Sequence, residues 1–302
     1  MEQNEVTKPA YNTTSGGQAE EALNADMASN GSGSCPTCGT TGMATTPSFV
    51  YAIGKIEPRF PRLSVEKEFA QVISNRESSG QTDREVMQTV LSAPENRYLA
   101  RQLCWVMTIE GLETYLLVPH DPTDLQRLVD TVRMNPSPAD LDVVIGARGP
   151  LAPPEMCNGI TVPIVVFDQL YSFDRDSLLK AIPAQEKGSK ERLTAAAAEV
   201  FDQIMLMADN AGATDDHRAL NYLAVRYTAI YHTAAQMFAR NASLTGLEAR
   251  ASALSETRKI VDVIFSYTDR QTGVVEKRFC RVDVTEEFPF LVTKLSPYYD
   301  HP

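Results

Sequence analysis

The stretch that decides the fold is Val261-Asp-Val-Ile-Phe-Ser-Tyr267, followed by Arg278-Phe-Cys-Arg-Val-Asp-Val284. Apolar and polar side chains alternate along both segments, which is the period of a strand with one buried face. Turn-forming residues from Asp269 to Gly273 lie between them, so the two strands are predicted to form a hairpin. Because other parts of the chain predict helices and further hairpins, we expect an α+β fold and not a doubly wound α/β fold.

The N-terminal half predicts short strands and capped helices. The run Phe49-Val-Tyr-Ala-Ile53 is β-prone and is expected to end at Gly54. Thr82-Asp-Arg-Glu85 has the spacing of a capping box at a helix start. Asp121 is a predicted N-cap, because a proline follows it at the first helical position. These signals predict amphipathic helices that pack against antiparallel hairpins.

Two long helices are predicted in the C-terminal half. One runs from about Lys190 to Ala208, and the other continues from a cap at Asp215-Asp216 through Phe238. Both show the 3.6-residue apolar period of a helix with one buried face. Residues 168–176, which include Asp168, Asp174, Arg175 and Asp176, are interpreted as a solvated loop that ends in an Asp cap; a peptide-binding groove is the alternative.

Composition bounds the class of protein. The chain has 302 residues, of which 43% are hydrophobic, so it can form one large domain or two small ones. Its net charge of -11 repels nucleic acid, which we exclude as a partner. No apolar run approaches the roughly 20 residues of a membrane span, and the N-terminus lacks a secretory signal. We therefore expect no membrane association and a cytoplasmic location.

The chain is expected to divide near residue 47. Residues 1–46 are rich in Gly, Ser, Thr, Asn, Ala and Glu and contain almost no large apolar side chains. Such a segment cannot bury enough surface to offset its ordering entropy, so it is predicted to be a disordered tail. Residues 47–302 are predicted to form the α+β domain.

Cysteines give the strongest candidate site. Cys35-Pro-Thr-Cys38-Gly has the form of a zinc knuckle, in which two thiolates converge on one ion. A structural zinc normally has four ligands, and the candidates to complete the set are Cys157, Cys280, His120, His217 and His232. We predict a metal site, with zinc as the cofactor, at Cys35, Cys38, Cys157 and Cys280. Free thiols in a tail are the alternative, and Cys104 is interpreted as a packed core thiol.

Recognisable catalytic motifs are scarce. His217 stands beside Asp215 and Asp216 and is a candidate general base, although a capping or ion-pair role is favoured. Gly146-Ala-Arg-Gly149 weakly resembles a phosphate-binding loop, but no helix is predicted to follow it. The chain has no nucleophile elbow, P-loop or dinucleotide fingerprint. The sequence therefore identifies no catalytic residues.

Several blocks of the chain stand out together: Phe49-Val-Tyr-Ala-Ile-Gly54, the passage into Trp105-Val-Met-Thr-Ile-Glu110, Arg218-Ala-Leu-Asn-Tyr-Leu-Ala224 and the terminal hairpin. In this order, the blocks resemble the C-terminal domain of unknown function in the cyanobactin maturation proteases of the PatA/PatG type. The resemblance covers roughly residues 48–300. It implies a role in the maturation of ribosomally made peptides. The family's protease precedes this domain and has no counterpart here, so protease activity is not implied.

Three functions remain open. The first is an accessory protein that binds a precursor peptide or a peptide-maturation enzyme. The second is a metal-dependent enzyme that modifies a peptide. The third is a structural dimerisation module, in which the terminal hairpin or the long helices form a homodimer interface.

Overall fold

The computed structural model describes residues 48–74, 80–182, 190–207 and 209–299, with side chains omitted at 190–193. The predicted tail, with Cys35 and Cys38, lies outside these residues. The strands are β1 (Ser48–Arg59), β2 (Cys104–Ile109), β3 (Leu112–Pro119), β4 (Asp140–Leu151), β5 (Pro163–Asp174), β6 (Ala242–Ala251), β7 (Ile260–Asp269), β8 (Val275–Asp283) and β9 (Phe290–Tyr298). The α-helices are α1 (Leu63–Ser74), α2 (Asp83–Ser92), α3 (Arg97–Gln102), α4 (Leu125–Asp130), α5 (Arg175–Ala181), α6 (Lys190–Met205), α7 (Asp215–Arg226) and α8 (Ala229–Ala239).

The strands form two separate sheets. The first is a closed barrel in the order β1-β2-β3-β5-β4, in which β3 and β5 are parallel and the other pairs are antiparallel. The second is an antiparallel meander in the order β6-β7-β8-β9, and the predicted hairpin is its central pair. The α+β prediction is confirmed. No helix of the described ranges is long and apolar enough to cross a bilayer.

The barrel and the second sheet enclose a helical layer. Val50 and Ala52 of β1 point into the barrel core, whereas Tyr51 and Ile53 point outward and pack with α6, α7 and α8. This alternation is the two-residue period of a strand that is buried on both faces. The inner face of the second sheet, which includes Phe265 of β7, packs on the same helices. The helical layer therefore joins the two sheets through one continuous core.

Gly54 lies in the middle of β1, so the prediction that the strand ends there was wrong. A Cβ built at Gly54 would lie 2.4 Å from the carbonyl oxygen of Thr108 in β2. Glycine is needed because the two backbones approach so closely, and the strand continues to Arg59.

Local helix signals were good guides to helix starts. Thr82 and Glu85 form the predicted capping box at the start of α2. The Asp121 carboxylate accepts a hydrogen bond from the Thr123 amide at 2.8 Å, at the start of a 3₁₀ turn that leads into α4. At α7 the cap is Thr214, whose side chain accepts from the His217 amide, and not the two aspartates that follow it.

Two other predictions about elements were wrong. The second long helix is two helices, because Tyr227 leaves helical geometry between α7 and α8. Residues 168–174 belong to β5 and are not a loop, although Asp174 does cap α5 by accepting from the Ser177 amide at 2.7 Å.

Candidate functional site: a carboxylate–imidazole cluster beside an apolar cavity

Three ionisable side chains from distant parts of the chain meet at the edge of the barrel. His120 follows β3, Asp168 lies on β5, and Glu287 lies in the turn between β8 and β9. The Nδ1 atom of His120 lies 2.5 Å from Oδ1 of Asp168. The Glu287 carboxyl group lies close enough to Asp168 for the two carboxyl groups to influence each other's pKa. We call this group the carboxylate–imidazole cluster.

A β-bulge places Asp168 in the cluster. Gly146 of β4 pairs with Phe167, and the preceding residue of β4 pairs with Gln169, so Asp168 is left without a partner on β4. A Cβ at Gly146 would lie 2.2 Å from the carbonyl oxygen of Val166. Bulges redirect side chains and recur beside functional sites. Gly146-Ala-Arg-Gly149, which weakly resembles a phosphate-binding loop in sequence, is therefore part of strand β4. The missing side chain of Gly146 makes room for the bulge in β5.

A buried arginine holds Glu287 in position. Arg218 on α7 is only 2% exposed. Its guanidinium donates to the carbonyl oxygens of Val284 at 2.7 Å and Glu287 at 3.2 Å, and also to that of Glu286. It also lies 5.4 Å from the centre of the Phe49 ring. The hydrogen bonds of its two terminal nitrogens offset part of the cost of burying the charge, so Arg218 fixes the β8–β9 turn against the barrel.

The surroundings of the cluster shift the pKa values of its two carboxyl groups in opposite directions. The hydrogen bond and the charge of Asp168 raise the pKa of His120 above its usual value, and the same hydrogen bond lowers the pKa of Asp168. Burial, followed by the hydrogen bond and charge of Asp168, raises the pKa of Glu287 to about 7. Near neutral pH the cluster therefore contains the Asp168 carboxylate and a Glu287 carboxyl group that is close to its titration point, and the raised pKa of His120 favours its imidazolium form.

This arrangement can move protons or hold a cationic group, but it lacks an activated nucleophile. Within the described ranges, the hydrogen bond of the His120 ring goes to Asp168, and none goes to a hydroxyl or a thiol. Nucleophilic catalysis needs a base within hydrogen-bonding reach of such a group. The cluster is therefore suited to binding or to general acid–base chemistry.

An apolar cavity of about 430 Å³ lies on the same side of the barrel as the segment that leads into His120, and we call it the Trp105 cavity. It is lined by Ala100, Arg101, Gln102, Leu103, Cys104, Trp105, Leu116, Leu117, Val118, Pro119, Pro122, Leu125 and Met156. Trp105 donates its indole N–H to the carbonyl oxygen of Ala100 at 3.1 Å, so its polar atom is satisfied within the fold. The indole ring therefore contributes apolar surface to the cavity.

A disulfide joins two walls of this region. Cys104 at the start of β2 is bonded to Cys157 in the connection between β4 and β5, with their Cα atoms 5.9 Å apart. Cys104 and Met156, the neighbour of Cys157, both line the cavity. The structure therefore pairs a cysteine that we expected to be a packed thiol with one that we expected to bind metal.

Two of the four predicted metal ligands, Cys157 and Cys280, lie in the described residues, and neither is available as a thiolate. Cys35 and Cys38 lie outside them. The sulfur of Cys157 is committed to Cys104, and a disulfide sulfur is not a thiolate ligand. Cys280 on β8 is fully buried, and burial raises the pKa of its thiol to about 12, which disfavours a thiolate. No group of three or more His, Cys, Asp or Glu in the part of the chain that the structure describes is arranged to hold a metal ion.

The remaining histidines do not join the cluster. His217 lies in the first turn of α7, and burial lowers the pKa of its ring, so it is neutral at neutral pH. His232 lies on α8 and is half-buried. Sequence reasoning did not single out Glu287 or the role of Arg218. The available signal was an arginine that directly precedes Ala219 and Leu220 in the first turns of a helix with a buried face.

Comparisons with known proteins agree with the resemblance found in the sequence. Residues 187–298 match the family model described as "PatG C-terminal". A solved structure titled "PatG Domain of Unknown Function" has the same fold, with a TM-score of 0.66 and 22% sequence identity, covering 83% of this chain and 98% of that one. No curated protein matches the chain. The resemblance to the PatG C-terminal domain is confirmed, and at this identity the structural match establishes the fold alone.

Proposed function

We propose that this protein is an accessory factor in the maturation of a ribosomally made, cyanobactin-like peptide, and that it binds the precursor peptide. The observation that carries the proposal is the fold, which is that of the PatG domain over nearly the whole of that domain's length. The family match over residues 187–298 supports the same context. The alternative binding partner is a peptide-maturation enzyme.

The site favours binding over covalent chemistry. The carboxylate–imidazole cluster has no nucleophile next to His120 within the described residues, whereas the Trp105 cavity offers an apolar surface that a peptide side chain can fill. Peptide sites in proteins commonly combine an apolar pocket with a few placed polar groups. The cavity supplies the first element, and Arg101 and Gln102 at its lining supply the second.

The direct test is a calorimetric titration of the full chain with the precursor peptide encoded in the same gene neighbourhood. A peptide of the same composition in scrambled order is the matched control. The proposal expects saturable binding of the precursor and none of the control. A pull-down with the maturation enzymes of the same neighbourhood tests the alternative partner. If neither the precursor nor any of these enzymes binds, the proposal is wrong.

The second candidate function is a metal-dependent enzyme that modifies a peptide. The carboxylate–imidazole cluster is not arranged to hold the metal ion, but it could supply general acid–base chemistry beside a metal held by the predicted knuckle. Elemental analysis of the full chain and of a C35S/C38S variant measures whether zinc is held by the predicted knuckle. Incubation of the precursor with the zinc-loaded chain, followed by mass spectrometry, measures any modification. A precursor that is unchanged in both mass and chromatographic retention eliminates this candidate. A homodimer remains the structural alternative, and light scattering that shows a monomer eliminates it.

A further inference from the structure

We propose that the Trp105 cavity binds the C-terminal residue of a peptide, with an apolar side chain inside the cavity and the terminal carboxylate on Arg101. This inference rests on the proposed function and specifies the class of peptide end that the protein takes.

The floor of the cavity is built from the barrel core. Leu103, Trp105, Leu117 and Leu125 are each less than a tenth exposed and belong to the same apolar cluster inside the barrel. Packing already holds the floor in place before a ligand binds. Binding therefore loses little side-chain conformational entropy in the protein. An apolar side chain placed there removes nonpolar surface from water on both partners.

The wall of the cavity is also held in place. Leu116 of β3 lies in the small cluster that surrounds the Cys104–Cys157 disulfide. The disulfide fastens the loop that carries Met156, which is 40% exposed at the edge of the cavity. Methionine is adaptable in shape, and it is frequent at surfaces that accept varied apolar partners.

The charge of the lining selects a carboxylate. Arg101 is the charged member of the lining, which contains neither aspartate nor glutamate. Arg101 lies exposed in the last turn of α3 and has no ion-pair partner among the described residues. An apolar cavity with one unpaired guanidinium complements an apolar group that carries a carboxylate, because arginine binds carboxylates in a bidentate manner.

The size of the cavity favours the end of a chain. Its volume of about 430 Å³ is near the lower limit of ligand pockets, which run from about 300 to 1,000 Å³. It accommodates one large side chain with its backbone and not an extended segment. In a peptide, the residue that places an apolar side chain and a carboxylate side by side is the last one.

The test uses the fluorescence of Trp105, which is the one tryptophan of the chain. The full chain is titrated with acetyl-Gly-Ala-Leu as the free acid and as the C-terminal amide. We expect a saturable change in tryptophan emission, with the acid binding about three- to fivefold more tightly than the amide, the range of a solvent-exposed ion pair. The variant R101Q should bind both peptides with the affinity of the amide. R97Q, which removes another exposed arginine of the same helix, should keep the preference.

A cavity-filling variant gives an independent result. V118F narrows the cavity from β3 and should abolish the fluorescence response to both peptides while leaving the thermal midpoint close to that of the wild type. A variant that does not fold leaves the R101Q and R97Q comparison as the test. The inference is overturned by equal affinity for acid and amide, by loss of the preference in R97Q, or by the absence of a response at millimolar peptide.

Two further outcomes separate this inference from the proposed function. If decanoate binds and the peptide acid does not, the cavity takes a fatty acid, and the inference fails. If the full precursor binds by calorimetry but the short peptide acids do not, the proposed function holds and the cavity assignment fails. If the short acids bind and the precursor does not, the proposed function fails and the cavity assignment survives.

Discussion

Replacing Arg218 should show how much the fold depends on one buried charge. The variant R218M keeps an unbranched apolar stem but removes the hydrogen bonds to the carbonyl oxygens of Val284, Glu286 and Glu287. Hydrogen bonds to a charged group contribute roughly 1.5–3 kcal/mol each, and breaking a buried charged network costs about 3–5 kcal/mol. Part of this free energy is recovered in the variant because water can hydrogen-bond to the freed carbonyl oxygens of the turn. We therefore expect the free energy of unfolding to fall by about 3–5 kcal/mol.

Urea denaturation followed by circular dichroism measures this change as a shift in midpoint at unchanged slope. The matched control is R240M, which removes an exposed arginine at the end of α8 and should change stability by less than about 0.5 kcal/mol. An R218M protein as stable as R240M would refute the assignment of Arg218 as the residue that fixes the β8–β9 turn.

The remaining predictions concern the bulge, the cluster and the disulfide. G146A should destabilise the fold strongly by denaturant titration, because its Cβ would overlap β5, whereas G149A, whose nearest neighbour would be 3.5 Å away, should be close to neutral. The raised pKa of Glu287 contributes stability that is fully present below its unfolded pKa and is lost as pH rises towards about 7. E287Q should therefore lose less thermal stability than the wild type between pH 4.5 and 7, and parallel curves would contradict the cluster. Because Cys104 and Cys157 close a loop of 53 residues, a thiol reductant should lower the free energy of unfolding by about 2–4 kcal/mol, and the C104S/C157S variant should be insensitive to reductant.

Local sequence signals predicted the elements whose cause is itself local. The capping box at Thr82 and the cap at Asp121 depend on side chains that bond to backbone groups two or three residues away, so their spacing is visible in the chain. The central hairpin of the second sheet also followed from alternation and from the Asp269 turn, where the carboxylate accepts from the amides of Gln271 and Thr272. Periodicity did not reveal the break at Tyr227, because both helices keep the same buried face.

The sequence by itself determined the α+β class, the helix starts, the central hairpin and the likeness to the PatG domain, because these depend on short-range periods, caps and the order of blocks. The tertiary structure decided the site. His120, Asp168 and Glu287 come together only because a bulge opposite Gly146 redirects one carboxyl group and Arg218 holds the turn that carries the other. Contacts that close loops of 48 or more residues, such as that between His120 and Asp168, leave no period in the chain from which they can be read.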